Sequence, residues 1–365
     1  MAAGLRDGGF TGEVVLVGAE RVPPYERPHL SKGFLAGTVS LAELSLRPAL
    51  QYRELRVDLR LGDPVIGLGL DDRRMLFEGG KTMGWDLLCF AMGSDARRLF
   101  SFPDAVYLRE LPSARRLKAL IESRRPIQIV GAGFIGCEVA AVARQSGSDV
   151  GLHEALAQPL LRVLGPELGA YVASVHREHG VDVHLGVGPP PSAHLVAVGS
   201  MPRSSLAELA GIAVDNGIVV DEWGRTSVPD VFAAGDVTRF FHPLFDTFIR
   251  VEHFQTAQRQ GFAVGRNMAG AATPYDEVPW FWSDQYDLNF QYAGAGLPWD
   301  EIVLRGELGH PPFTVFYLNG GHLVAAAGVN DHHSVARARR VMQERIDVGR
   351  AQLEDPDFDL RSALV

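Results

Sequence analysis

The sequence predicts an α/β chain of two doubly wound units followed by a smaller α+β domain with antiparallel strands, and three observations carry that prediction. Short apolar runs end in glycine or an acidic residue, as buried parallel strands do. One of them, residues 126–130, runs into a glycine turn, a helix and a second strand, which completes a βαβ unit. Beyond Val278 the pattern changes to aromatic and alternating segments, typical of antiparallel strands.

In chain order, residues 13–20 read as a buried strand ending at Glu20, preceded only by a short helical stretch. Residues 40–55 read as loop and helix, with strands around 57–61 and 75–77. Residues 87–93 form another apolar strand that stops at Gly93. Residues 111–123 have helical character, and residues 126–130 give the strand that enters the glycine turn. A helix follows from about 137 to 145, then a strand at 149–154. Gly188-Pro189-Pro190-Pro191 breaks the pattern before a strand at 195–199. A further strand leads to Gly235 and Asp236, ahead of a helix at 251–268. Strands at 313–318 and 323–329 and helices between 334 and 348 close the chain.

At 365 residues and roughly 150 residues per domain, three domains are expected: 1–103 with 215–277, then 104–214, then 278–365. Lys and Arg total 35 against 44 for Asp and Glu, a net charge of −9, which disfavours nucleic acid and anionic membranes as partners of the whole molecule. No stretch approaches the ~20 apolar residues of a membrane span, and no apolar signal run opens the chain, so a cytoplasmic location is expected. The two cysteines, Cys89 and Cys137, lie far apart in apolar segments without a CxxC pair, which suits reduced buried thiols. No metal-ligand cluster stands out.

The most specific motif is Gly131-Ala132-Gly133-Phe134-Ile135-Gly136, a GxGxxG between strand and helix, with Glu154 ending the next strand. In a Rossmann-like unit the glycines serve the tight turn, the approach of pyrophosphate to backbone, and helix–strand packing. Glu154 is placed to accept hydrogen bonds from an adenosine ribose and to repel a 2′-phosphate, which favours NAD over NADP, although Arg162 lies near enough to soften that preference. The bland alternative is a chance glycine turn. Asp236 sits at the carboxyl end of a strand, where open α/β sheets bind ligands; the alternative for an isolated residue is a cap on the next helix.

The motifs together resemble the ferredoxin-reductase group of FAD-dependent pyridine-nucleotide oxidoreductases, which serve bacterial oxygenases and cytochromes P450. The resemblance rests on Arg27-Pro28-x-Leu30-Ser31-Lys32, the GxGxxG with Glu138, residues 230–236, Arg250-Val251-Glu252-His253, and Pro279-Trp280-Phe281-Trp282-Ser283-Asp284-Gln285. It implies FAD and NADH as cofactors and an iron–sulfur ferredoxin or similar carrier as partner. It further implies that Glu20 binds the FAD adenosine ribose, and that Asp236, beside Gly235, binds the ribityl chain. Arg27 and Lys32 lie along the flavin, with Lys32 near N5 and paired to Glu138. Glu252 and His253 face the pyrimidine end, and Trp282 borders the ring. On the same resemblance the first domain is FAD-binding, the second NAD-binding and the third a C-terminal reductase domain.

Three departures from the family pattern are expected to matter. The resemblance implies a strand and a first GxGxxG ahead of Met1, so an N-terminally truncated FAD unit lacking its central strand is expected. Ala91-Met92-Gly93 carries a thioether where the family has a small hydroxyl, and residues 186–194 are short. Two other readings stay open: a flavin-deficient NAD-binding remnant, and a disulfide or peroxide reductase. Arg337, Arg339 and Arg340 are either a basic docking patch for an acidic carrier or a solvated helix face.

Overall fold

The computed structural model describes residues 1–364, and they separate into two compact units. The first comprises Met1–Glu26, Ser45–Asp95 and Met201–Glu277; the second comprises Arg27–Leu44, Ala96–Ser200 and Val278–Val365.

In the first unit, Val14–Gly18 pairs in parallel with Val57–Leu61, and Leu88–Phe90 pairs in parallel with Val231–Ala233. Among the described residues these two ladders are separate sheets. A three-stranded antiparallel sheet of Val65–Gly69, Arg74–Phe77 and Thr82–Gly84 lies in the same unit. So does a sheet of Ile218–Val220, Thr238–His242 and Thr247–Ile249. Leu5 on the helix Ala2–Asp7 is buried with Val14, Tyr52 and Val57, so the short N-terminal helix is held by apolar contact.

The second unit contains a four-stranded parallel sheet ordered Asp182–Leu185, Val150–Glu154, Ile127–Val130 and Leu195–Val196. Helix Phe134–Gln145 is buried without interruption from Gly136 to Ala143, which accounts for its run of small apolar residues. The C-terminal part is a five-stranded antiparallel sheet ordered Trp280–Gln285, Leu288–Gly294, His322–Val329, His310–Asn319 and Glu301–Glu307. Helix His332–Gln343 closes a core with it, where Ala338 and Val341 meet Val303, Phe316 and Ala326.

Several boundaries differ from the sequence expectation. The helix after the glycine turn begins at Phe134 rather than 137, because Gly133 is its cap. The helix expected from 251 begins at Phe254, and the strand expected at 195–199 shrinks to Leu195–Val196. Helix Leu161–Glu178, unforeseen in the sequence, bends at Gly165 (φ 80°, ψ 176°) just before Pro166. Residues 186–194 hold neither strand nor helix. No described helix is long and apolar enough to cross a membrane.

Candidate active site

The glycine turn of the second unit has the geometry its spacing predicts. Gly131 has φ +98°, and a Cβ there would fall 2.3 Å from the Ala197 carbonyl oxygen. A Cβ at Gly136 would fall 1.9 Å from the Gly131 oxygen, so the helix can sit on the turn only without a side chain. At Gly133 a Cβ would meet nothing within 4 Å. The backbone is therefore open to an incoming group at the one glycine that caps helix Phe134–Gln145, where unpaired N–H groups favour phosphate. Phe134 is set edge-on against Phe281, and Ile135 is exposed. Glu154 accepts from the Ala132 amide at 2.8 Å and from the Leu156 amide at 2.9 Å, tying the turn to the end of the neighbouring strand.

Lys32 and Glu138 form an ion pair of 2.7 Å, with 14% and 4% of their side chains exposed. Buried Leu30, Phe34 and Leu35 anchor the segment around Lys32, and Glu138 projects from the helix that the glycine turn starts. Two hydroxyls complete the carboxylate's shell: Ser31 donates to Oε2, and Ser283 donates to Oε1 at 2.6 Å. Sequence reasoning quoted both serines inside motifs but gave neither a role. A buried carboxylate with one cation and two hydroxyl donors is electrically and sterically compensated, which keeps the ammonium in place.

A cavity of about 420 Å³ lies elsewhere in this unit, around Arg305 and Arg337. One of about 380 Å³ touches Lys32 and is bordered by His29, Val39, Trp282, Asp284 and Tyr286. Trp282 leans against Trp280, with ring centroids 6.0 Å apart. Arg27 donates to the Arg109 carbonyl at 2.7 Å.

The first unit holds the remaining predicted residues. Glu20 lies just past strand Val14–Gly18 and accepts from the Tyr25 hydroxyl at 2.7 Å. Gly235 has φ +79° and donates to the side chain of Gln260 at 2.7 Å, a buried partner with no signature in its local sequence. Asp236 follows in the same turn. Glu252 is paired with Arg250, and His253 caps helix Phe254–Met268, with its imidazole held down to about 4 by burial. In the first turn of that helix the buried Thr256 hydroxyl has no hydrogen-bond partner among the described residues, an orphaned polar atom of the kind a bound polar ring satisfies.

Both cysteines are free, and burial pushes both thiols up, that of Cys89 to about 12. Neither supplies a thiolate at neutral pH. The three C-terminal arginines have different surroundings: Arg337 faces Asp359 at 3.7 Å, Arg339 lies over the Trp280 ring, and Arg340 is exposed.

A family model described as pyridine nucleotide-disulphide oxidoreductase matches residues 1–189 and 192–261, and a reductase C-terminal model matches residues 280–364. The chain belongs to the pyridine nucleotide-disulphide oxidoreductase family. As such it is an oxidoreductase whose family cofactors are FAD and NAD(H), and the open Gly133 and the orphaned Thr256 hydroxyl fit those groups. Rhodocoxin reductase of Rhodococcus erythropolis is 34% identical, over 100% of this chain and 91% of that protein. The ferredoxin–NAD(+) reductase component of the anthranilate 1,2-dioxygenase system of Burkholderia cepacia is 36% identical, over 100% and 96%. A chain in the crystal structure of the covalent putidaredoxin reductase–putidaredoxin complex superposes with a TM-score of 0.93 at 32% identity, covering 100% of this chain and 94% of that one.

Proposed function

We propose that this chain is a flavoprotein that passes electrons from NADH through FAD to a [2Fe–2S] ferredoxin or similar carrier, as one component of an oxygenase or P450 system. The observation that carries the reading is the buried Lys32–Glu138 pair, in a chain where burial pushes both thiols up. Such a pair supplies a fixed positive charge where a flavin gains negative charge, whereas disulfide reduction needs a reactive thiolate. FAD supplies the step between a two-electron hydride donor and a one-electron carrier.

The chain's own residues bind and orient. Glu20 takes the FAD adenosine ribose, Asp236 beside Gly235 the ribityl chain, and Glu252 and His253 the pyrimidine end. Lys32, held by Glu138, would present its charge towards the flavin N5, and Arg27 and Trp282 would border the ring. The turn of Gly131, Gly133, Phe134, Ile135 and Gly136 receives the NADH pyrophosphate. Glu154 accepts from the ribose hydroxyls and disfavours a 2′-phosphate, so NADH is the donor rather than NADPH. The domains follow the same pattern: FAD-binding at 1–103 and 215–277, NAD-binding at 104–214, reductase C-terminal at 278–365. Two free cysteines suit a reducing compartment, and the cytoplasm is the compartment proposed.

The test is NADH-dependent reduction of a purified [2Fe–2S] ferredoxin by the FAD-reconstituted chain, followed by loss of the ferredoxin's visible absorbance. Turnover faster with NADH than with NADPH supports the reading. A chain that stays colourless after FAD addition, yet binds NADH, is the flavin-deficient remnant instead.

A further inference from the structure

Strand Trp280–Gln285 and the turn after it carry a polar chain that runs on from Ser283, away from Glu138. Gln285 Nε2 lies 3.3 Å from Ser283 Oγ, whose hydroxyl reaches Glu138. The other end of the amide, Oε1, lies 3.1 Å from His176 Nε2, and His176 Nδ1 lies 3.0 Å from the Tyr286 hydroxyl. Ser283, Gln285 and His176 are almost wholly enclosed, at 0%, 1% and 0% exposure.

One end of this chain dictates the direction of every bond in it. The carboxylate of Glu138, paired to Lys32, only accepts, so the single Ser283 hydroxyl proton is committed to it. Ser283 Oγ is then left to accept from the Gln285 amide nitrogen. That orientation turns Oε1 towards His176, which must donate from Nε2 and leave Nδ1 bare. The Tyr286 hydroxyl donates to Nδ1. Burial favours the same pattern, holding the His176 imidazole down to about 4 and pushing the Tyr286 phenol up. Tyr286 has φ 59°, uncommon for an aromatic residue, and its ring is stacked on His179 with centroids 3.6 Å apart.

We propose that Gln285 and His176 are positioning residues: the one-way run of donors from Tyr286 through His176, Gln285 and Ser283 holds the Glu138 carboxylate so that the Lys32 ammonium stays fixed beside the flavin. The inference rests on the reading that the flavin lies at Lys32. Enclosed hydrogen bonds aligned in one direction polarise one another, so loss of a middle member weakens the bonds on both sides of it.

The experiment is ¹⁵N NMR of the imidazoles in the full-length, FAD-loaded protein, combined with the flavin midpoint potential of Gln285→Met and Lys32→Met. The expected wild-type result is His176 protonated on Nε2 alone. Gln285→Met is expected to mix the two tautomers and to move the potential in the direction Lys32→Met moves it, by less, with kcat down about ten-fold and the NADH KM within about two-fold. Protonation of His176 on Nδ1 in the wild type reverses the chain and overturns the proposal, whether or not the variants fold. A potential that moves in Lys32→Met but not in Gln285→Met overturns the relay and leaves the flavin at Lys32. A potential that moves in neither overturns the flavin placement, and the proposal with it.

Discussion

Removing the charge of Glu138 while keeping its shape is the sharpest perturbation of the site. In Glu138→Gln the ammonium of Lys32 loses a carboxylate 2.7 Å away in surroundings where only 14% of its own side chain is exposed. At an effective dielectric of ~20 the direct attraction at that distance is about 6 kcal/mol, most of it offset by the desolvation of both ions. Removing one partner of a buried pair costs about 3–5 kcal/mol. The lower figure applies here, because Lys32 borders a cavity of about 380 Å³ and water can reach it there. Denaturant unfolding of the full chain is expected to show a loss of about 3 kcal/mol in Glu138→Gln, partly restored when Lys32→Met removes the stranded charge. A loss below about 1 kcal/mol, or a double variant as unstable as the two single losses summed, refutes the argument that the pair is buried and coupled.

The other predictions perturb other positions. Gly136→Ala puts a Cβ into the Gly131 carbonyl and should cost several kcal/mol of stability, whereas Gly133→Ala opens onto free space and should fold normally while raising the NADH KM about ten-fold or more; equal stabilities for the two variants contradict the turn geometry. Glu154→Gln turns one acceptor into a donor facing a backbone amide, so about 1–2 kcal/mol of stability and much of the NADH-over-NADPH preference should be lost; an unchanged ratio of kcat/KM for the two cofactors sinks the assignment. His176 is depressed from 6.5 to about 4 in the folded chain, so its contribution is intact above pH 6.5 and is lost progressively as the pH falls towards 4, by about 3 kcal/mol in all. Unfolding measured at pH 7 and pH 5 should show that slope in the wild type and a smaller one in His176→Gln; identical slopes contradict it. Replacing Cys89 and Cys137 by serine and alanine should leave NADH-dependent dye reduction intact, and lost turnover in a folded double variant would revive the disulfide-reductase reading.

What could be read in advance divides along physical lines. The glycine turn was legible because most of its constraints are local: a left-handed φ at Gly131, a helix that can sit on the turn only without a side chain at Gly136, and a helix start at Phe134. Lys32 and Glu138 entered through motifs, yet their surroundings did not, because Ser31 is 107 and Ser283 145 positions from Glu138. Gln260 looked like any polar residue, and Gln285 only like the end of a motif, until folding enclosed them. Helix Leu161–Glu178 contains Gly165, Pro166 and Gly169, residues that ordinarily interrupt helices; in the fold Gly165 absorbs the bend and the helix continues beyond it. The C-terminal arginines read either as a docking patch or as a solvated helix face, and their individual neighbours, Asp359 for Arg337 and Trp280 for Arg339, had no local signature.

Rapid mixing of the FAD-loaded chain with NADH under anaerobic conditions tests the account at its centre. The flavin bands should bleach on mixing and return when oxidised [2Fe–2S] ferredoxin is added, with two ferredoxins reduced for each NADH consumed. Flavin that stays oxidised in saturating NADH, although NADH is bound at the glycine turn, contradicts it.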